Sequence, residues 1–189
     1  MTVDLRRSPL HEYGDQLACL PVSVVEQPFL TQLNLRCDPC GPARAAVEAV
    51  LGAALPLVPC TTTALAGGEV LWLGPDEWLI LLPAGTGTDL MTALAGESVG
   101  LTDVSAQRTA LRLTGPGVGD LLAQGCAIDL HPRVTPAGSC LQTLLAQTGV
   151  ILVVHDDEAS DVLVLVRSSY AQYLAGWLID ACGGLGDPA

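Results

Sequence analysis

The segment LWLGPDEWLILL at residues 71–82 limits the fold of this chain more than any other stretch. Its alternation puts Val70 and Trp72 on one side of a strand and Leu71 and Leu73 on the other, so both faces are apolar. The connection Gly74-Pro75-Asp76-Glu77 suits a type I turn, because proline presets the backbone at the second position and aspartate tolerates the third. The segment is therefore a hairpin with arms at 69–73 and 78–82, and protein must cover it on both sides.

The elements around the hairpin follow from periodicity and punctuation. Leu33 and Leu35 alternate in a strand over 31–36, and a helix follows that Pro42 opens and Gly52 closes, with Ala46, Val47, Val50 and Leu51 as its apolar face. A strand near 61–66 and the Gly67-Gly68 turn precede the hairpin. A helix near 88–95 carrying Leu90, Met91 and Leu94 and a strand near 100–105 complete a β-α-β-β-β-α-β series.

The chain then begins again. A strand over 108–114 leads through Gly115-Pro116 into a helix with Val118, Leu121 and Leu122 that ends at Gly125, a weak repeat of strand, Gly-Pro, helix and Gly. An irregular loop over 126–138 leads to strands near 139–146, 150–154 and 161–166. A last helix over about 169–180 takes Ser168 or Ser169 as its N-cap and carries the stripe Tyr170, Tyr173, Leu174, Trp177 and Leu178. Pro9, Pro21 and Pro28 predict an irregular arm over 1–28. The expected class is α+β, with one half over 29–105, a second over 106–183 and a tail over 184–189. The halves form one globular unit of mostly antiparallel sheet with packed helices.

Half of the 189 residues are apolar, enough for an ordinary core. Twenty acidic residues against 8 basic give a formal charge of -12, which repels phosphate backbones and anionic lipid, so neither nucleic acid nor a membrane is an expected partner. No apolar run of signal-peptide length follows the N-terminus, and none reaches the roughly 18 residues of a membrane helix, so the expected compartment is the cytoplasm. The 7 cysteines are odd in number and scattered, unlike a secreted disulfide framework.

Several motifs could carry chemistry. Cys37-Asp38-Pro39-Cys40 is a C-x-x-C between a strand and a helix, where a helix N-terminus favours thiolate. No second pair stands at zinc-ligand spacing, and the preceding residue is Arg36 rather than tryptophan. Gly115-Pro116-Gly117-Val118-Gly119 follows a strand, yet Asp120 holds the place of a dinucleotide-loop glycine, so a plain helix start is expected. Asp103, Ser105 and His131 could be assembled into a triad, but no nucleophile elbow accompanies them. His131 is better read as a loop residue bonded to backbone, and Asp103 as a turn residue. Asp156-Asp157-Glu158 lacks the ligand spacing of a calcium loop and reads as a solvated hairpin tip.

The residues LWLGPDEWLILLP at 71–83 and DVSAQRTALRLTGPGVGDLLAQGCAIDLHPRVTPAGSCLQTLLA at 103–146 resemble the gamma subunit of heterotetrameric sarcosine oxidase. Ser8-Pro9-Leu10, Leu35-Arg36, Leu55-Pro56 and the helix from Tyr173 to Trp177 fit as well. More distantly, the hairpin and the GCAIDLHPR stretch at 125–133 are similar to the folate-binding domain of the glycine-cleavage T-protein.

The resemblance implies a complex that oxidatively demethylates sarcosine to glycine, forming hydrogen peroxide and, with tetrahydrofolate, methylenetetrahydrofolate. It implies alpha, beta and delta partner subunits that hold FAD, FMN, NAD and zinc, and no cofactor, metal or catalytic residue in this chain. Trp72, Pro75, Asp76, Trp78, His131, Arg133 and Trp177 are then expected as structural or interface anchors. Two alternatives stand beside this reading: a T-protein-like module binding folate near Arg108, Arg112 and Tyr170, and a thiol oxidoreductase using Cys37 and Cys40.

Overall fold

The structure is a computed structural model that describes residues 6–184, so the first five positions of the expected arm and the last five of the expected tail lie outside the described residues. The chain opens with helix α1 (Gly14–Ala18) and strand β1 (Ser23–Gln27). Next come β2 (Thr31–Arg36), α2 (Ala43–Leu51), β3 (Thr62–Leu65), β4 (Gly68–Gly74), β5 (Glu77–Leu82), α3 (Gly87–Ala93) and β6 (Gly100–Asp103). The rest comprises β7 (Arg108–Thr114), α4 (Val118–Ala123), β8 (Ser139–Leu145), β9 (Thr148–Val154), β10 (Asp161–Arg167), a short 3-10 turn (Ser168–Tyr170) and α5 (Ala171–Gly183).

The strands form two five-stranded sheets with purely antiparallel ladders, in the orders β3-β4-β5-β2-β6 and β1-β7-β10-β9-β8. Read from the β6 end, the first sheet runs β6-β2-β5-β4-β3, so its order parallels that of the second sheet by position, and the matched pairs β2 with β7 and β5 with β10 are each followed by a helix. The strand-helix repeat thus extends to whole sheets. One strand breaks the chain order: the place beside β7 that corresponds to β6 is filled by β1, from the other end of the chain.

Within the described part of the expected arm over 1–28, that placement and α1 replace irregular chain by a helix and a strand. Val24 pairs with Leu113 and Glu26 with Leu111, while Leu10, Leu17, Val22 and Val24 are buried in the core of the second sheet. The prolines lie outside α1 and β1 and so leave both free to form. Glu26 accepts hydrogen bonds from the Ser8 hydroxyl (2.5 Å) and the Thr109 hydroxyl (2.8 Å), which fastens β1 on both sides.

Three apolar layers result. Helices α1, α4 and α5 cover the outer face of the second sheet, burying Leu111, Val164, Leu174 and Leu178. On the first sheet, Val47 of α2 and Leu90 of α3 pack with Leu33, Leu35, Val70, Trp78 and Ile80. Between the sheets lie Leu71, Leu79 and Leu81 on one side and Ala110, Ile151, Val153, Leu163 and Leu165 on the other. The two apolar faces of the hairpin therefore have separate covers, α2 and α3 on one side and the second sheet on the other. Gln32, almost fully buried, crosses this middle layer to donate from Nε2 to the Arg108 carbonyl at 2.7 Å.

Local details depart from periodicity where a helix meets solvent. Val50, Met91, Tyr170 and Tyr173 are exposed, so the apolar stripes of α2, α3 and α5 are narrower than expected. Neither Ser168 nor Ser169 caps the last helix: both sit in the 3-10 turn, Tyr170 holds the cap position without a side-chain bond, and the Ser168 hydroxyl donates to Ala106. Pro42 and Gly52 do bound α2, and Gly52 adopts the left-handed φ of 69° typical of a helix C-terminus. Among the described residues no helix is long and apolar enough to cross a membrane.

Candidate functional site

The hairpin fixes the first group of candidate residues. Trp72 and Trp78 face each other across β4 and β5, yet only Trp78 is fully buried, and its indole Nε1 donates to the Pro56 carbonyl at 2.8 Å. Trp72 is partly buried against the same cluster. Pro75 and Asp76 stand exposed in the turn, where the Asp76 carbonyl accepts from the Cys37 amide at 3.2 Å. Arg36 and Asn34 of β2 both bond the Glu77 carboxylate, at 2.6 and 2.8 Å. These contacts tie the turn to the end of β2. Gly68 begins β4 where a Cβ would meet the Leu81 carbonyl oxygen at 1.9 Å, so only glycine fits.

The loop that follows α4 holds the second group. The His131 amide donates to the Asp129 carboxylate (2.9 Å), and His131 Nδ1 accepts from the Arg133 amide (3.2 Å). These two bonds order the turn around His131. Arg133 is exposed beside it. At the start of the loop, Gly125 lies beneath Trp177 of α5: a Cβ here would come within 2.5 Å of the indole ring. The Gly125 carbonyl also accepts from the Ala146 amide (2.9 Å), and Tyr173 receives a bond from the Gln147 amide (3.2 Å). Trp177 thus clamps the loop start to the β8–β9 turn.

The motifs read for chemistry have structural partners. Cys37 is buried in the first core, where burial, and then the charge of Asp38, pushes its thiol pKa up. The approach to α2 does not offset this, so the nucleophilic form is disfavoured. Cys40 is exposed, and its amide donates to Asp38 Oδ1 at 2.9 Å. Asp103 accepts from the amide and hydroxyl of Ser105, which hold its carboxyl below the usual range, while His131 is engaged with Arg133 and makes no bond to Ser105. Asp156 binds Ser160, and Asp157 accepts from the Ala137 amide, which orders the hairpin tip. Gly117 precedes a helix of only 6 residues. Among the described residues no three His, Cys, Asp or Glu side chains are grouped to hold a metal ion.

The folate alternative required Arg108, Arg112 and Tyr170 in one pocket. Both arginines lie on β7 and face the layer between the sheets, but Arg112 is committed to a bidentate pair with Asp161 at 2.5 and 2.9 Å. Tyr170 is exposed after β10. The structure does not converge the three.

Two charge clusters escaped the sequence reading because each joins strands distant in the chain. In the first, His155 at the end of β9 reaches Glu69 of β4 at 3.3 Å and lies 3.5 Å from Asp161, linking the two sheets. In the second, Arg108 of β7 stands directly opposite Arg167 of β10. Burial, and then the charge of Arg167, pulls the Arg108 pKa down, and neither arginine reaches a carboxylate among the described residues. The strand alternation 108, 110, 112 puts Arg108 on the inner face, a signal visible only once the pairing partner is known.

Comparison with known proteins agrees with this architecture. A model of the sarcosine oxidase gamma subunit family matches residues 36–184. The sarcosine oxidase subunit gamma of an Arthrobacter species is 36% identical, over 99% of this chain and 95% of its own length. A chain of the heterotetrameric sarcosine oxidase from Corynebacterium sp. U-96, solved with pyrrole 2-carboxylate, superposes with a TM-score of 0.88 at 32% identity, covering 98% of this chain and 99% of that one. The glycine cleavage system aminomethyltransferase T from Bartonella henselae shares the fold, with a TM-score of 0.66 at 14% identity over 93% of this chain and 57% of its own. By the matched range, the full-length identity and the superposition, this chain belongs to the sarcosine oxidase gamma subunit family.

Proposed function

We propose that this chain is the non-catalytic gamma subunit of a heterotetrameric sarcosine oxidase, and that it supports the assembly of the complex. The whole complex demethylates sarcosine oxidatively to glycine, producing hydrogen peroxide and, with tetrahydrofolate, methylenetetrahydrofolate. Its partners are the alpha, beta and delta subunits, which hold FAD, FMN, NAD and zinc and bind tetrahydrofolate, and the complex works in the cytoplasm. The observation that carries this reading is the full-length similarity to gamma subunits at 36% identity.

The candidate side chains support it as well. Asp103, His131 and Trp78 each have a hydrogen-bonded structural partner, and Cys37 is buried in the first core. Co-expression with the three partner subunits tests the reading. The expected outcome is a stoichiometric complex that forms peroxide from sarcosine, with yield falling when this chain is omitted. A fully active complex of the other three subunits, obtained in undiminished yield, would overturn the assembly role.

A further inference from the structure

The layer between the two sheets ends in two charge clusters that differ in balance. At one end two carboxylates, Glu69 and Asp161, face Arg112 and His155, and every charge has a partner. At the other end Arg108 and Arg167 are directly cross-strand, a placement that destabilises a ladder when the charges are alike. Arg108 donates only to the neutral Gln107 Oε1 (2.6 Å), and the carboxylate whose charge acts on it, Glu77, is held in an ion pair by Arg36 (2.6 Å). Among only 8 basic residues in a chain of net charge -12, this pair, without an ion-pair partner among the described residues, stands out. It lines a groove of about 470 Å³ with Gln142, Thr143 and Leu144, and Leu144 is 61% exposed.

We propose that Arg108 and Arg167 form a carboxylate dock, filled in the assembled oxidase by an aspartate or glutamate side chain of a neighbouring subunit. The inference rests on the subunit reading above. Charge complementarity identifies the occupant: a guanidinium fork binds a carboxylate bidentately, and one carboxylate between two arginines removes the repulsion that the free chain carries. Leu144 beside the pair gives the incoming subunit an apolar contact, the mixture of arginine and apolar side chain found at the centres of protein interfaces.

The test compares the full wild-type chain with R108Q/R167Q, and with R167Q alone in case the double variant is unstable. As a free chain, each variant should melt at the same temperature as the wild type or higher, because the repulsion is gone. Affinity for the other subunits should fall on the order of 30-fold in the double variant, the scale of losing one buried interfacial charge pair. The wild-type affinity should also weaken with added salt more steeply than that of the variant. Equal affinity and equal salt dependence would overturn the dock while leaving the subunit reading intact. Failure of the wild-type chain to join the complex would overturn both. A rise in the melting temperature of the free wild-type chain with succinate, absent in the double variant, would assign the groove to a small carboxylate and overturn a subunit as its occupant.

Discussion

Trp78 is the side chain on which the first sheet depends most. It fills the centre of the cluster beneath α2 and α3, and its indole satisfies the Pro56 carbonyl inside the same core. Trp78→Ala should destabilise the chain by about 3–5 kcal/mol, as truncation of a buried aromatic does, and Trp78→Phe by about 1–3 kcal/mol for the orphaned carbonyl. Urea midpoints of the isolated chain check both. The assembly reading adds that the complex should be lost before turnover of any remaining complex changes. Gly125 gives a second case, because a methyl group there displaces Trp177. Gly125→Ala should cost about 1–3 kcal/mol and alter the near-ultraviolet dichroism of the indole.

His155 makes stability depend on pH. Its bond to Glu69 raises its pKa above the ordinary 6.5, against the opposing effect of burial. A histidine whose pKa rises on folding contributes stability that is complete below the unfolded value and is lost as pH climbs through the folded one. Asp161 acts with the opposite sign: Arg112 holds its carboxyl below the usual 3.8, so its contribution is present above that value and fades as pH falls through the folded pKa. Unfolding midpoints should therefore fall as pH rises above 6.5 through the folded pKa of His155, and His155→Gln should flatten that limb alone. A wild-type midpoint that stays level through this range would count against the link between sheets.

At the level of elements, β1 is the piece whose removal should be most informative. It covers one edge of β7 and contributes Val22 and Val24 to the second core. Deleting residues 1–27 should leave the β7 amides that face β1 open to exchange and expose apolar surface, which hydrogen exchange and dye binding would register. The first sheet should keep its protection, since β1 contributes nothing to it. Loss of protection in β2 and β5 as well would mean that the sheets unfold as one unit.

The elements also differ in how far the sequence reveals them. Alternation in the hairpin, the Pro42 and Gly52 boundaries and the Gly115-Pro116 restart are local signals, and they locate β2 to β10 within a residue or two. The strand β1 carries no such signal: Ser23-Val24-Val25-Glu26-Gln27 is short, lies between prolines, and gains its ladder from a partner more than eighty positions away. The same limit hides both charge clusters, since Glu69 and His155, or Arg108 and Arg167, become neighbours only through sheet order. Exposed Tyr170 and Tyr173 show a further limit, because helical spacing predicts a stripe without saying how wide a stripe the neighbours cover.

For the whole molecule, two like-folded sheets share one inner layer, and the hairpin is built into it with both faces occupied. The family relationship gives this compact unit its context as a subunit, and the uneven charge at the two ends of the inner layer gives it a direction in which to look for a neighbour. The borrowed strand has a consequence of another kind, for the order in which a growing chain can fold. Every strand of the first sheet has been synthesised by Asp103, whereas β1 must wait for Ala110 to Thr114 before its ladder can close. At bacterial and eukaryotic translation rates that wait lasts on the order of ten seconds. With the chain clear of the ribosome to about residue 105, the first sheet should thus be protected and the N-terminal segment open to protease, and emergence of some tens of residues more should close the segment.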